Sequence, residues 1–162
     1  MTTELHHAIQ LRQADKRDAP ILVSILHAAF EEYRGRLDPP SGAHIESVDD
    51  IHQKLETASA VIASFDGETA GCVFYEPEET AMYLGRLAVL PPFRRHGIGR
   101  ALIEYVEEQA RQFELAHVHL GVRVALPYLM AYYQGLGYAI TTYGMHPGYL
   151  EPTYVNMQKE LA

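Results

Sequence analysis

The 162-residue sequence contains a single cysteine, Cys72. That excludes an intrachain disulfide framework and a thiolate zinc cluster, and it fits a reducing compartment. Cys72 reads as a small apolar core residue. No run approaches the ~18 consecutive apolar residues that a membrane-spanning helix needs. The stretch Met1–Arg17 is polar and lacks the hydrophobic centre of a signal peptide. These absences predict a soluble cytoplasmic protein with no membrane partner. Positive charge is also scarce: 13 Lys+Arg against 21 Asp+Glu leave a net charge of -8. A surplus of that sign does not suit nonspecific phosphate contacts, so no nucleic-acid partner is predicted. Repeats, linkers and low-complexity segments are absent, and His6-His7 reads as terminal polar surface.

Against these absences, 48% hydrophobic and 21% charged residues match an ordinary globular composition. A chain of this length buries about 70% of its unfolded surface. One domain spanning residues 1–162 is predicted, with a core that needs no metal or disulfide.

Ala8–Arg12 alternates apolar and polar residues, which predicts a first strand. Asp18 and Pro20 then signal a helix start, and Ile21, Leu22, Ile25, Leu26, Ala29 and Phe30 recur at helical spacing to about Tyr33. The loop Gly35–Gly42 ends that helix. A short helix through Val48, Ile51 and Leu55 follows, opened by Ser47 with Asp49 and Asp50 in its first turn. Ala60–Phe65 and Ala70–Tyr75 predict strands joined by a tight turn at Asp66-Gly67. The strand Ala81–Leu90 stops at Pro91-Pro92. A helix beginning near His96-Gly97 places Ile98, Leu102, Tyr105, Val106, Ala110 and Phe113 on one face. Strand His117–Val122, helix Pro127–Gln134, strand Tyr138–Tyr143, loop Met145–Pro152 and strand Thr153–Lys159 complete the chain. This order predicts an α/β protein, a mixed sheet with helices on both faces.

The chemistry concentrates in Leu84–Ile103, where an apolar strand feeds a loop with two arginines and two glycines, and the loop feeds a helix. A helix N-terminus presents unpaired N–H groups and partial positive charge, and glycines let a phosphate approach the backbone. Arg94, Arg95 and Arg100 add charge. Taken alone, Gly97 and Gly99 also suit a plain strand-to-helix turn with solvated arginines. The loop is neither a Walker P-loop nor a dinucleotide fingerprint, because it lacks Gly-Lys-Ser/Thr and a third glycine.

Arg94-Arg95-His96-Gly97-Ile98-Gly99 resembles the coenzyme A signature R/Q-x-x-G-x-G/A of the GNAT N-acetyltransferase superfamily. Tyr133-Gln134-Gly135-Leu136-Gly137-Tyr138 resembles its second landmark, a tyrosine followed by three residues and Gly-Phe or Gly-Tyr. The element order agrees from Ala8 to Leu161. The stretch Glu32–Ala43 is similar to one shared by a bacterial subgroup. The resemblance implies a mixed, mostly antiparallel sheet of about seven strands, splayed at its centre and flanked by about four helices. It also implies acetyl-CoA as cosubstrate and no metal. The pantetheine arm would lie in the splay against the backbone of Leu87, Ala88 and Val89, with Arg94, Arg95, His96, Gly97, Ile98, Gly99 and Arg100 around the pyrophosphate.

In such an enzyme an amine attacks the thioester directly, so Cys72 is dispensable. Three demands follow. A backbone N–H near Val89, freed by a bulge, would polarise the thioester carbonyl. Tyr133, matching the family tyrosine, would protonate the departing thiolate; helix packing, and competition from Tyr132, are the plainer readings. The amine must lose a proton, which for a lysine-like group costs roughly 4–5 kcal/mol at pH 7. Tyr83 stands where some relatives place a catalytic glutamate, and the candidates Glu79, His146, Glu151, Glu31, Glu32, Asp38 and His44 leave the base unassigned. Leu126 replaces an asparagine common in relatives, and Pro127 suits the first helical turn beside it. His117 and His119 share a sheet face without a carboxylate at ligand spacing, which indicates packing rather than a metal.

The net charge of -8 favours cationic amines or polyamines through long-range attraction. A small-molecule amine is the expected acceptor, with Tyr143–Tyr154 as its wall. A protein or peptide amine, and a noncatalytic acyl-CoA-binding module, are the alternatives. Homodimers are common among relatives.

Overall fold

The predicted first strand lies one residue on, as β1 (Ile9–Gln13). The computed structural model describes residues 8–162, so His6-His7 lies outside the described residues. Helix α1 (Ala19–Phe30) carries proline in its first turn and buries Ala19, Leu22, Ile25, Leu26 and Ala29. Just before it Asp18 closes a 3-10 turn over Lys16–Asp18, accepting Arg12 Nη2 at 2.8 Å, Arg12 Nη1 at 3.0 Å and the Asp15 N–H at 2.9 Å. These charged partners hold the Asp18 carboxyl at about 2, well below the usual range. The helix predicted to run to Tyr33 tightens into a 3-10 turn over Glu31–Tyr33. In α2 (Val48–Lys54), Ser47 and Asp50 form the reciprocal cap that their spacing allows.

β2 (Ser59–Phe65) and β3 (Glu68–Pro77) meet at Asp66 (φ 51°) and Gly67 (φ 86°). Two consecutive positive φ angles give the hairpin turn that matches strand twist. β4 (Ala81–Val89) leads through a 3-10 turn at Pro91–Phe93 to α3 (Ile98–Gln112). β5 (His117–Arg123), α4 (Pro127–Gly135), β6 (Ala139–Gly144) and β7 (Tyr154–Glu160) follow. Phe113, predicted on the buried face of α3, caps that helix instead and is 54% exposed.

Among the described residues seven strands form one sheet in the order β1-β2-β3-β4-β5-β7-β6, with β4–β5 its parallel pair. One apolar layer packs α3 on Val61, Val73, Met82, Val118 and Met157. The other packs α1 and α2 on Ile62, Cys72, Phe74 and Ala88. Burial pushes the Cys72 thiol up to about 12, so it stays an inert core group.

β4 and β5 pair only from Ala81↔His117 to Tyr83↔His119, although both strands run further. Past Tyr83 they part. β4 carries a bulge there: Phe74 pairs Gly85 and Cys72 pairs Ala88, and the extra residue is accommodated with Arg86 at φ 51°. Such an insertion bends its strand and raises the local twist. No described helix is long and apolar enough to cross a membrane.

Candidate active site

The gap between β4 and β5 opens into a cavity of about 1230 Å³, bounded by α1, the α3 N-terminus, α4 and the β6–β7 loop. The Leu90 N–H donates to the Ala70 carbonyl at 2.8 Å. By strand alternation, the Val89 N–H and carbonyl therefore face the opposite edge, toward the gap. The bulge expected near Val89 lies earlier, at Arg86, so the Val89 amide owes its direction to alternation and splay.

At one end, Arg95 (φ 68°) and Gly97 (φ 85°) turn the chain into α3. A left-handed residue immediately before a helix suits glycine, and Gly97 brings no side chain to cap the first-turn N–H groups. Those groups form a partial positive charge at the cavity wall. A Cβ on Gly99 would meet the Tyr132 hydroxyl at 3.2 Å, so the bare Cα keeps the turn accessible. Arg95 and Arg100 line the cavity, as do Leu87, Ala88, Ile98 and Val89. Arg100 Nε also reaches Glu104 at 3.1 Å.

Two further motif residues, Arg94 and His96, make contacts of their own. Arg94 donates from Nε to the Val89 carbonyl at 3.1 Å and from Nη2 to the Ala29 carbonyl at 3.4 Å, and its Nη1 lies 2.5 Å from Glu32 Oε1. It ties the turn to the end of α1. The His96 ring lies 4.7 Å from the Phe65 ring and outside the cavity lining.

Tyr133 is 5% exposed and lines the cavity from α4, with its ring 5.5 Å from Tyr132 and 5.7 Å from Tyr138. Burial pushes its phenol above the ordinary value, so the hydroxyl keeps its proton at neutral pH. Leu126, where relatives carry asparagine, is buried against the cavity. It caps α4 without a side-chain bond, and its carbonyl accepts the Leu129 N–H at 3.0 Å.

Of the candidate bases, only Glu32 and His146 line the cavity, and Glu32 is held by Arg94. The His146 ring pairs through Nδ1 with Thr153 Oγ1 at 2.5 Å and sits 5.2 Å from the Tyr154 ring. Partial burial and the Arg123 charge depress its pKa, so the imidazole is neutral at pH 7. Asp38 accepts the Tyr149 hydroxyl and Glu31 pairs with Arg34, both outside the lining. Glu79, Glu151 and His44 also lie outside it, and both ring nitrogens of His44 are buried without a partner.

Sequence reading missed one group. His119 Nε2 lies 2.6 Å from Glu78 Oε1, and its ring is 5.2 Å from Tyr83. The carboxylate comes from the β3–β4 turn, where only the strand register places it. Tyr83 folds over Gly85, whose Cβ would meet its ring at 2.8 Å, and lines the cavity.

The family model for the acetyltransferase (GNAT) family matches residues 22–138. The chain belongs to the GNAT acetyltransferase family. Its fold is the GNAT fold. The PaiA N-acetyltransferase from Thermoplasma acidophilum, solved in complex with coenzyme A, superposes with a TM-score of 0.78 at 16% identity, over 95% of this chain and 99% of that one. The ribosomal-protein-S18-alanine N-acetyltransferase from Escherichia coli superposes with a TM-score of 0.74 at 20% identity, over 94% of each chain. A curated relative, Probable N-acetyltransferase 14 of Danio rerio, is 30% identical over 95 residues, 57% of this chain. The chain spans about a third (34%) of that GNAT relative's length.

Proposed function

We propose that this protein moves an acetyl group from acetyl-CoA to the amine of a small molecule, by direct attack in a ternary complex. The observation that carries the reading is convergence on one cavity: the uncapped α3 N-terminus at Gly97, the splayed strand at Val89, and Tyr133 all border it. These residues fit coenzyme A. First-turn N–H groups, the Gly99 Cα and Arg95 suit a diphosphate, and Leu87, Ala88 and Val89 suit an extended amide-bearing arm.

Acetyl-CoA supplies, when bound, an acetyl thioester that the amine converts to an amide with release of the thiol. The Val89 N–H, aimed into the gap, donates toward the developing oxyanion. Tyr133 holds a proton to give to the leaving sulfur, and its buried phenol makes it a reluctant acid. Neutral His146, at the acceptor end, takes the amine proton at Nε2, directly or through water, in the tautomer whose Nδ1–H donates to Thr153 Oγ1.

A small acceptor is favoured because the α1–α2 loop is tied to the end of β5 and to the β6–β7 loop beside the cavity, which Leu37, Ser41, Met145 and His146 line. The Tyr149 hydroxyl donates to Asp38, and Arg123 Nη2 donates to the Pro40 carbonyl at 3.3 Å. A polypeptide would have to cross those bridges. A protein amine, the acceptor class in the name of the Escherichia coli neighbour, is the second reading. The single buried cysteine suits a reducing, cytoplasmic setting. Acetylation assays comparing free amines with peptides separate the two acceptors: transfer to free amines supports this proposal, and transfer confined to peptides supports the second reading.

A further inference from the structure

The charged side chains lining the cavity are Arg86, Arg94, Arg95, Arg100, Arg123 and a single carboxylate, Glu32, within a chain of net charge -8. Glu32 neutralises Arg94, Glu104 neutralises Arg100, and Arg95 belongs to the turn before α3. At the opposite end, Arg86 Nε reaches Glu46 Oε1 at 3.0 Å. The same carboxylate takes Lys54 Nζ at 2.9 Å, so that trio retains one net positive charge.

Arg123 lies at the C-terminal end of β5, where its Nη2 donates to the Pro40 carbonyl at 3.3 Å. No carboxylate pairs with it among the described residues. Burial and the facing Arg86 charge both depress its pKa, opposed by Tyr149 and Asp38. Asp38 is itself engaged by the Tyr149 hydroxyl. Around this guanidinium the wall is polar and roomy. Gly121, two residues before it and on the same sheet face, pairs with Asn156, and Arg123 pairs with Tyr154. All four line the cavity. Asp38 keeps its charge while accepting the Tyr149 hydroxyl, so Arg86, Lys54 and Arg123 against Glu46 and Asp38 leave this end one carboxylate short of neutrality, and desolvated like charges repel.

We infer that Arg123, backed by Arg86, anchors an anionic group on the acceptor, so the amine acetylated here also carries a carboxylate or a phosphate. The planar guanidinium fork matches either group bidentately. This deepens the acetyl-transfer reading and rests on it. It reverses the preference for polyamines that the net charge suggests, because the lining sets the local field and distant surface acids are screened over a Debye length of about 8 Å. A polyamine would bring further positive charge to a wall already in excess.

The test compares matched acceptors: glycine with glycinamide, β-alanine with its amide, glutamate with glutamine, O-phosphoethanolamine with ethanolamine, and a linear diamine. The anchor predicts that an anionic member exceeds its neutral partner roughly 10- to 100-fold in kcat/KM. Arg123→Gln brings that ratio toward one with the KM for acetyl-CoA unchanged, and Arg123→Lys retains part of it. A preference among carboxylates identifies an amino-acid acceptor, and a preference for O-phosphoethanolamine identifies a phosphate. Equal use of acids and amides, or best use of the diamine, overturns the anchor and leaves acetyl transfer standing. If no amine reacts although coenzyme A binds, calorimetry of the N-acetyl forms of the same pairs on coenzyme A-saturated protein decides. Anion-selective binding lost in Arg123→Gln supports the anchor, and unselective or absent binding overturns it. Failure of coenzyme A itself to bind is the separate failure of the acetyl-transfer reading.

Discussion

Arg94 Nη1 lies 2.5 Å from Glu32 Oε1 while the same guanidinium holds the carbonyls of Val89 and Ala29, so one side chain fastens β4, the turn before α3 and the end of α1 together. Its motif position suggests a phosphate ligand, and its protein partners also brace the turn at the cavity wall. Arg94→Ala is expected to raise the KM for acetyl-CoA about tenfold, the equivalent of 1.4 kcal/mol. Glu32→Gln, which keeps a hydrogen-bond acceptor for Arg94, is expected to raise it less. Steady-state kinetics and calorimetric coenzyme A titrations of both variants check this.

Tyr133→Phe removes one hydroxyl and leaves the ring packed among Tyr132 and Tyr138. Turnover is expected to fall roughly 10- to 100-fold, the lower part of the range for general acids, because burial makes this phenol a weak one. Coenzyme A affinity stays within about twofold if binding rests on the α3 turn. Unchanged turnover removes Tyr133 from the acid role.

His146 sets the acid limb of the pH profile. Its folded pKa lies below the ordinary 6.5, so the neutral base is complete at pH 7 and is lost as pH falls through that depressed value. The kcat profile is therefore expected to decline only below about pH 6.5. His146→Gln is expected to abolish that limb and lower kcat at every pH, and a profile that retains the limb excludes His146 as the base.

Glu107, 4% exposed on α3, accepts the Tyr138 hydroxyl at 2.9 Å and lies 3.2 Å from Lys159 Nζ on β7. This bridge joins α3 and the motif tyrosine Tyr138 to β7. Glu107→Ala leaves a buried hydroxyl and an ammonium without their shared partner, and is expected to cost about 2–4 kcal/mol in urea unfolding. Tyr138→Phe, which keeps the ion pair, is expected to cost about 1 kcal/mol.

Local chemistry made much of the fold legible before any coordinates. Asp66-Gly67 specified its turn because few residues accept two positive φ angles, and Ser47 with Asp49 and Asp50 announced α2 by an N-cap and acids at the positive end of the helix dipole. The turn at Arg95–Gly99 was legible for the same reason, since Arg95 and Gly97 take positive φ, whereas Tyr133 was named only through the resemblance to the family. Features set by register between distant segments were not. Glu78 meets His119 across 41 residues, and the bulge at Arg86 appears only when Cys72 and Phe74 are paired with β4. The role of Arg123 depends on which cavity charges have partners, and those partners come from distant segments. Phe113 was misread because helical periodicity continues past the point where α3 stops.

Thiol release from acetyl-CoA by the purified protein, with and without a mixed panel of amines, amino acids and peptides, tests the central claim most directly. The account predicts release that depends on a free amine, saturates with acetyl-CoA and falls in Tyr133→Phe. Tight coenzyme A binding with no release for any amine or peptide would contradict it and identify the cavity as a binding site without transfer.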